Sequence, residues 1–123
     1  MIKIAFFDVD GTLLKLGSKV PSFQTVQTLQ QLQAKGILLC MATGRGYLSV
    51  PHFEGVDFDL WLTFNGSYVR SKDAVISKNP LDADDKRRIL HNLKQMHRAA
   101  AISNEHFIVT NEVGGQAVLG RTR

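Results

Sequence analysis

Two aspartates one residue apart, Asp8 and Asp10, close the mostly apolar run IKIAFF in the stretch FFDVDGTLLK, and Gly11 follows at once. If strand geometry persists through Asp10, both carboxylates point to the same side, because side-chain direction repeats every two residues. Two carboxylates held that close repel, and one stays protonated unless a cation sits between them. A hard divalent cation with oxygen ligands, Mg²⁺ above all, removes the conflict and draws in the oxygens of a phosphate. Gly11 lets the backbone turn sharply and come close to such a ligand. Asp-Gly is also ordinary turn chemistry after a strand, which accounts for Asp10 but not for Asp8.

A second apolar run, ILLCMA, ends in TGR. There the Thr43 hydroxyl can bond a phosphate oxygen, Gly44 exposes backbone N–H groups, and Arg45 adds positive charge. Alone, Thr-Gly merely ends a strand. Beside the aspartate pair it points to an anion, since ligands of open α/β sheets bind beyond the carboxyl ends of the strands.

The elements that must position these residues follow from periodicity. IKIAFF reads as a buried strand. PSFQTVQTLQQLQAKG reads as a helix, with Phe23, Val26, Leu29 and Leu32 on its apolar stripe, Ser22 capping its start and Gly36 ending it. ILLCMA is a second strand, so a parallel βαβ unit with a right-handed crossover results. Tyr47 to Phe53 is a short segment broken by Pro51. DLWLTF is a third strand, and Asn65–Gly66 is a strong turn signal before SYVR. SYVR and AVIS alternate as strands of a small antiparallel sheet do. DADDKRRILHNLKQMHRA is a helix with Ile89, Leu90, Leu93 and Met96 on its buried face, its acids at Asp82–Asp85 acting as cap and dipole partners, and HFIVT is again strand-like. A boundary is expected at residues 66/67, and the tail NEVGGQAVLGRTR has no clear period.

The stretch DVDGTLL resembles the first signature of the haloacid dehalogenase superfamily of phosphohydrolases, and MATGR resembles the second. FDLWLTFNGSYV is similar to the segment leading into the cap of the Cof-type subgroup. The resemblance implies an α/β fold: a partial, three-layer Rossmann-like core over residues 1–66, then the beginning of an α+β cap over 67–123. It implies a Mg²⁺-dependent phosphatase of small phosphorylated metabolites, sugar phosphates foremost. By that resemblance Asp8 is the nucleophile that forms an aspartyl-phosphate and Asp10 the general acid and base. Mg²⁺ would bind the Asp8 carboxylate and the Asp10 main-chain carbonyl. Thr43 would hold the phosphoryl group, with Gly11 and Gly44 beside it, and Arg45 and Asn65 would stand near the cap entrance.

The family carries two further signatures, a lysine and an acidic metal motif. The sequence holds no Gly-Asp dipeptide, and Lys72, Lys78, Lys86 and Lys94 all fall in the expected cap. The nucleophile side of the site is therefore expected without its completing half. This leaves open a binding module or an inactive fragment, and a receiver-like phospho-acceptor domain, although the third strand ends in Thr63–Phe64–Asn65 with no aspartate. Exposed core surface is expected to support homo-oligomerisation or the docking of a complementing chain.

With 123 residues, 44% apolar and 21% charged, the chain has the balance of a folded domain. The net charge is +4, and the basic residues are spread along the chain with one local cluster, KRRILHNLKQMHR, that reads as a solvated helix face and not as a nucleic-acid groove. The single Cys40 lies in an apolar run and reads as a buried, inert thiol. The four histidines lack the spacing of a metal site. No apolar stretch reaches membrane-spanning length and no signal-peptide layout opens the chain, so a cytoplasmic protein without membrane partners is expected.

Overall fold

Ile4–Phe7 forms β1, Phe23–Ala34 α1 and Leu38–Ala42 β2, the expected βαβ unit with its two strands parallel. The computed structural model describes residues 1–111, and these fall into two units, Met1–Asn79 and one that begins at Pro80. Leu60–Thr63 is β3, parallel to β2. Tyr68–Ser71 (β4) and Val75–Lys78 (β5) then fold back antiparallel, so the sheet runs in sequence order from β1 to β5.

The helix begins where its chemistry says it should. Ser22 accepts from the Thr25 N–H at 3.1 Å, and Gly36 takes the left-handed conformation just past the C-terminal end, at φ +73°. Leu29 is buried, with Val26 and Leu32 packed against the same core. Phe23 departs from the expected stripe and is 75% exposed. A series spaced by three residues drifts by about 60° per step around a helix. Centred on Leu29, it carries Phe23 well away from the sheet.

Alternation sorts the strand residues by face. Leu39 and Met41 join Val9, Leu13, Leu14 and Leu29 in the core on the α1 side, and Phe7 and Trp61 pack against it. The segment after Pro51 completes this core by burying Phe53, Val56 and Phe58, the two phenyl rings edge to face at 5.7 Å. Its polar backbone is tied to α1 by Gln30 Nε2 donating to the Gly55 carbonyl (3.0 Å) and Gln33 Nε2 to that of Asp57 (2.6 Å). Before it, Tyr47–Ser49 makes a single 3₁₀ turn.

The other face carries Ile4, Phe6, Leu38, Cys40, Leu60 and Leu62, aligned by the registers Ile4↔Leu38, Phe6↔Cys40 and Cys40↔Leu60. Phe6 is 56% exposed there and Leu38 47%. Among the described residues nothing pairs with the outer edge of β1. The Leu38 N–H donates to the Lys3 carbonyl at 2.9 Å, so the ladder's alternation turns the amide groups of Ile4 and Phe6 outward. Cys40 is buried and unpaired, and burial pushes its thiol up to about 11 against a smaller opposing backbone hydrogen bond at Leu62.

The sheet continues across the division expected at 66/67. Leu62↔Val69 and Thr63↔Tyr68 pair directly across the turn, and the first unit runs to Asn79. A hairpin hydrogen-bonded to β3 along its length cannot separate from it, whatever its composition.

In the second unit Ala83–Gln95 forms α2, and Ala100–Ser103 (β6) pairs antiparallel with Ile108–Asn111 (β7). Asp82 caps α2 by accepting from the Asp84 N–H at 2.7 Å, as its acids suggest. The expected buried face is not buried: Ile89 is 46% and Met96 64% exposed. Among the described residues of this unit, one hairpin of four-residue strands offers too little apolar surface to cover a helix of this length. The glycine-bearing tail lies outside the described residues. No helix among the described residues is long and apolar enough to cross a membrane.

Candidate active site at the carboxyl ends of the strands

Past Phe7 the chain turns instead of continuing. Leu13 N–H donates to the Asp8 carbonyl (3.2 Å), Leu14 N–H to that of Val9 (2.9 Å), and Gly11 N–H to that of Leu14 (2.7 Å). Gly11 sits at φ +88°, a conformation open to glycine and strained for other residues. Val9 is completely buried between an exposed Asp8 and an exposed Asp10. The hydrophobic anchor in the middle thus keeps both acids at the surface.

Asp8 lines an open cleft of about 370 Å³ together with Ala42, Thr43, Gly44, Leu62, Asn65 and Gly66. These residues stand at the carboxyl ends of β1, β2 and β3, where the sequence placed the anion. Thr43 is buried, its N–H donates to the Leu62 carbonyl at 2.9 Å, and its Oγ1 accepts from the Arg45 N–H at 3.1 Å. A hydroxyl that accepts once in this way still has its own proton to donate.

Asp10 does not share the cleft wall with Asp8. Its carboxylate is held by the Arg45 guanidinium in a two-pronged pair, Nη2 to Oδ1 at 2.6 Å and Nε to Oδ2 at 2.9 Å. Where the sequence suggests two carboxylates meeting over one cation, the Asp10 side chain here turns to Arg45, whose planar fork offsets its charge. The hydrogen bonds from Arg45 hold the Asp10 carboxyl below the usual carboxylate range, and Asp10 in turn raises Arg45. Arg45 is steadied by a further bond from Nη1 to the Ser49 carbonyl, 3.1 Å.

The loop after β3 is laced to the loop after β2. Phe64 N–H donates to the Arg45 carbonyl (2.9 Å) and Asn65 N–H to that of Thr43 (3.2 Å). Phe64 and Asn65 take φ values of 51° and 55°, followed by Gly66 at 87°. Asn-Gly signalled the turn; nothing in the sequence signals a left-handed phenylalanine before it. A Cβ built on Gly44 would stand 2.9 Å from Asn65 Oδ1, so the two residues are in close contact across the cleft wall.

The donor set fits a divalent cation in part. Asp8 offers an exposed carboxylate, and Mg²⁺ commonly takes one or two carboxylates with water and substrate phosphate. No group of three His, Cys, Asp or Glu side chains able to hold a metal occurs among the described residues. Of the lysines weighed for the missing cation, Lys72 lies 3.6 Å from Asp59 and Lys78 stands in β5, both in the first unit and not beyond it. Lys86 and Lys94 belong to α2.

Comparison with known proteins bears on the family and the fold. Residues 5–118 match the family of haloacid dehalogenase-like hydrolases. The chain is 35% identical to YkrA of Bacillus subtilis (strain 168) over 89 residues, 72% of this chain and 34% of the relative. It is 34% identical over 112 residues to the HMP-PP phosphatase of Enterobacter sp. (strain 638), 85% of this chain and 39% of that protein. Its fold superimposes at a TM-score of 0.77 on a Bacteroides thetaiotaomicron phosphatase of the haloalkanoate (HAD) enzyme superfamily, with 28% identity, over 91% of this chain and 42% of that one. The chain thus spans about two fifths of the length of these relatives. With residues 5–118 of its 123 matched, the chain belongs to the haloacid dehalogenase-like hydrolase family.

Proposed function

We propose that the chain carries the nucleophile side of a Mg²⁺-dependent phosphohydrolase of small phosphorylated metabolites. The observation that carries this reading is the cleft in which Asp8 and Thr43 stand together beyond the strand ends. Asp8 Oδ attacks phosphorus and the bond to the leaving oxygen breaks, giving an aspartyl-phosphate. Asp10 gives its proton to the leaving alcohol, then takes one from the water that attacks phosphorus. The water's oxygen leaves in inorganic phosphate, and the Asp8 carboxylate is regenerated. Thr43 donates its hydroxyl proton to a phosphoryl oxygen throughout. The Asp8 carboxylate and the Asp10 main-chain carbonyl are the groups that would hold Mg²⁺, which would supply positive charge between two anions; phosphatases of this superfamily are generally metal-dependent. Arg45 keeps Asp10 ionised, so the proton-donating form arises only once that pair opens.

The substrate class is supported by the Enterobacter relative, whose name gives HMP-PP as its substrate. Sugar phosphates belong to the same class of small esters, and the cytoplasm is where such metabolites are met.

A second reading rests on a specific observation: no lysine lines the cleft, and no third metal ligand stands near the two acids among the described residues. Losing one preorganised electrostatic partner commonly lowers turnover about a hundred- to a thousand-fold. The chain alone then binds phosphate without turning it over, and a complementing polypeptide docked on the open edge of β1 supplies the rest. Hydrolysis of p-nitrophenyl phosphate with Mg²⁺ tests both readings. Turnover near background for the chain alone is expected, restored by a polypeptide carrying the remaining core strands and abolished by Asp8→Asn. No hydrolysis by the complemented pair would leave only a binding module.

A further inference from the structure

The turn from Phe64 to Gly66 is more strained than its task requires. An Asn-Gly hairpin turn needs positive φ at two positions. Here three successive residues adopt it, at 51°, 55° and 87°, and the first is a bulky phenylalanine. Strain of this kind persists only where surrounding bonds enforce it, and it clusters at ligand sites. The enforcing bonds are those from Phe64 N–H and Asn65 N–H to the carbonyls of Arg45 and Thr43, the loop that forms the anion end of the cleft. Their effect is to lay the Asn65 side chain against Gly44.

Gly44 is not among the glycines at positive φ, so its backbone does not call for glycine. Its missing Cβ is what makes room for Asn65, whose Oδ1 would lie 2.9 Å from it. The Asn65 amide lines the cleft beside Asp8 and Thr43, is exposed, and has no hydrogen-bond partner among the described residues. A strained backbone, a glycine cleared for one side chain and an unused amide all serve the same wall.

We infer that Asn65 is a phosphate-contacting residue, its amide N–H donating to a phosphoryl oxygen held between Thr43 and Gly44. The inference rests on the reading of the cleft as a phosphate site and adds a neutral donor to it. A neutral amide suits this place, because it binds an anion without competing with Arg45 for Asp10.

The test is titration of inorganic phosphate into the full chain with Mg²⁺ present, following backbone amide resonances, for the wild type, Asn65→Gly, Asn65→Asp and Thr43→Val. Glycine tolerates φ 55° better than asparagine, so Asn65→Gly keeps or raises the melting temperature. Phosphate affinity should nonetheless fall about ten-fold or more, as for loss of a hydrogen bond to a charged group. Asn65→Asp keeps the shape and adds a negative charge, so it should weaken phosphate binding further. Unchanged affinity in Asn65→Gly, with Thr43→Val weakened, overturns the role of Asn65 and leaves the cleft reading standing. Absence of phosphate binding by the wild type, or binding indifferent to Thr43→Val, overturns both.

Discussion

Replacing Gly44 by alanine tests the close approach of the two cleft loops. The added Cβ would lie 2.9 Å from Asn65 Oδ1, 3.6 Å from its Cγ and 3.7 Å from its Nδ2. Non-bonded heavy atoms settle at about 3.5–4.0 Å, so the carboxamide must retreat by roughly half an ångström or more. It cannot do so by moving its backbone, because Asn65 N–H is bonded to the Thr43 carbonyl at 3.2 Å and Phe64 N–H to that of Arg45 at 2.9 Å. The side chain must rotate instead. Overpacking of a filled site costs about 1–3 kcal/mol. Asn65 lies at the surface and has space to turn into, which places the loss near the lower limit, ~1 kcal/mol. For a unit of this size that is a fall of about 4–8 °C in melting temperature. Thermal unfolding followed by circular dichroism measures it. The double variant Gly44→Ala/Asn65→Gly should recover most of the loss, since the clashing atoms are gone, while phosphate affinity stays low. A single variant that melts with the wild type and leaves the Asn65 resonances unmoved would refute the contact, as would a double variant no more stable than Gly44→Ala.

Three further outcomes follow from other parts of the structure. In Arg45→Ala the Asp10 carboxyl, read by carbon NMR titration, should rise toward the ordinary carboxylate range, because the Arg45 hydrogen bonds are what depress it. The sign is fixed by linkage: a depressed folded pKa contributes stability above the unfolded value and loses it as pH falls through the folded one. The wild type's advantage over Arg45→Ala should therefore be present at neutral pH and fade in acid; an Asp10 carboxyl that stays depressed in the variant contradicts this. Sedimentation should show self-association through the exposed face at the unpaired edge of β1, and Phe6→Lys, which puts a charge there, should reduce it; a stable dilute monomer, or oligomers unaffected by the substitution, would contradict this. The Cys40 thiol, pushed up to about 11 by burial, should resist alkylation in the native state near neutral pH and react on unfolding; rapid native alkylation would show that the strand face is open at Cys40.

Legibility in the sequence followed the range of the interactions. The βαβ unit was readable because its signals are local: two apolar runs, a Ser22 cap, a Gly36 stop. The acids at the end of β1 and the Thr-Gly-Arg at the end of β2 were readable for the same reason, and the parallel pairing of the strands brings them to one edge. The Asp10–Arg45 pair was not readable, because it joins residues 35 positions apart and depends on which way two side chains turn. The left-handed Phe64 was equally hidden, as hydrogen bonds from the Phe64 and Asn65 N–H groups to the Arg45 and Thr43 carbonyls impose it against the residue's own preference. Composition misplaced the domain division: β4 and β5 alternate like strands of a separate small sheet, yet their backbone bonds join them to β3. Phe53, Val56 and Phe58 lie in a stretch without period, so their part in the core appears only in three dimensions.

The most direct test of the central claim is a titration of the full chain with Mg²⁺ and then with inorganic phosphate, read at single backbone amides and repeated with Asp8→Asn. The cleft reading predicts that Mg²⁺ first shifts the amides around Asp8 and Asp10, that phosphate then shifts those of Thr43 and Gly44, and that Asp8→Asn weakens the Mg²⁺ step. Shifts confined to the acidic start of α2, Asp82–Asp85, with the strand ends unmoved and Asp8→Asn without effect, would contradict it.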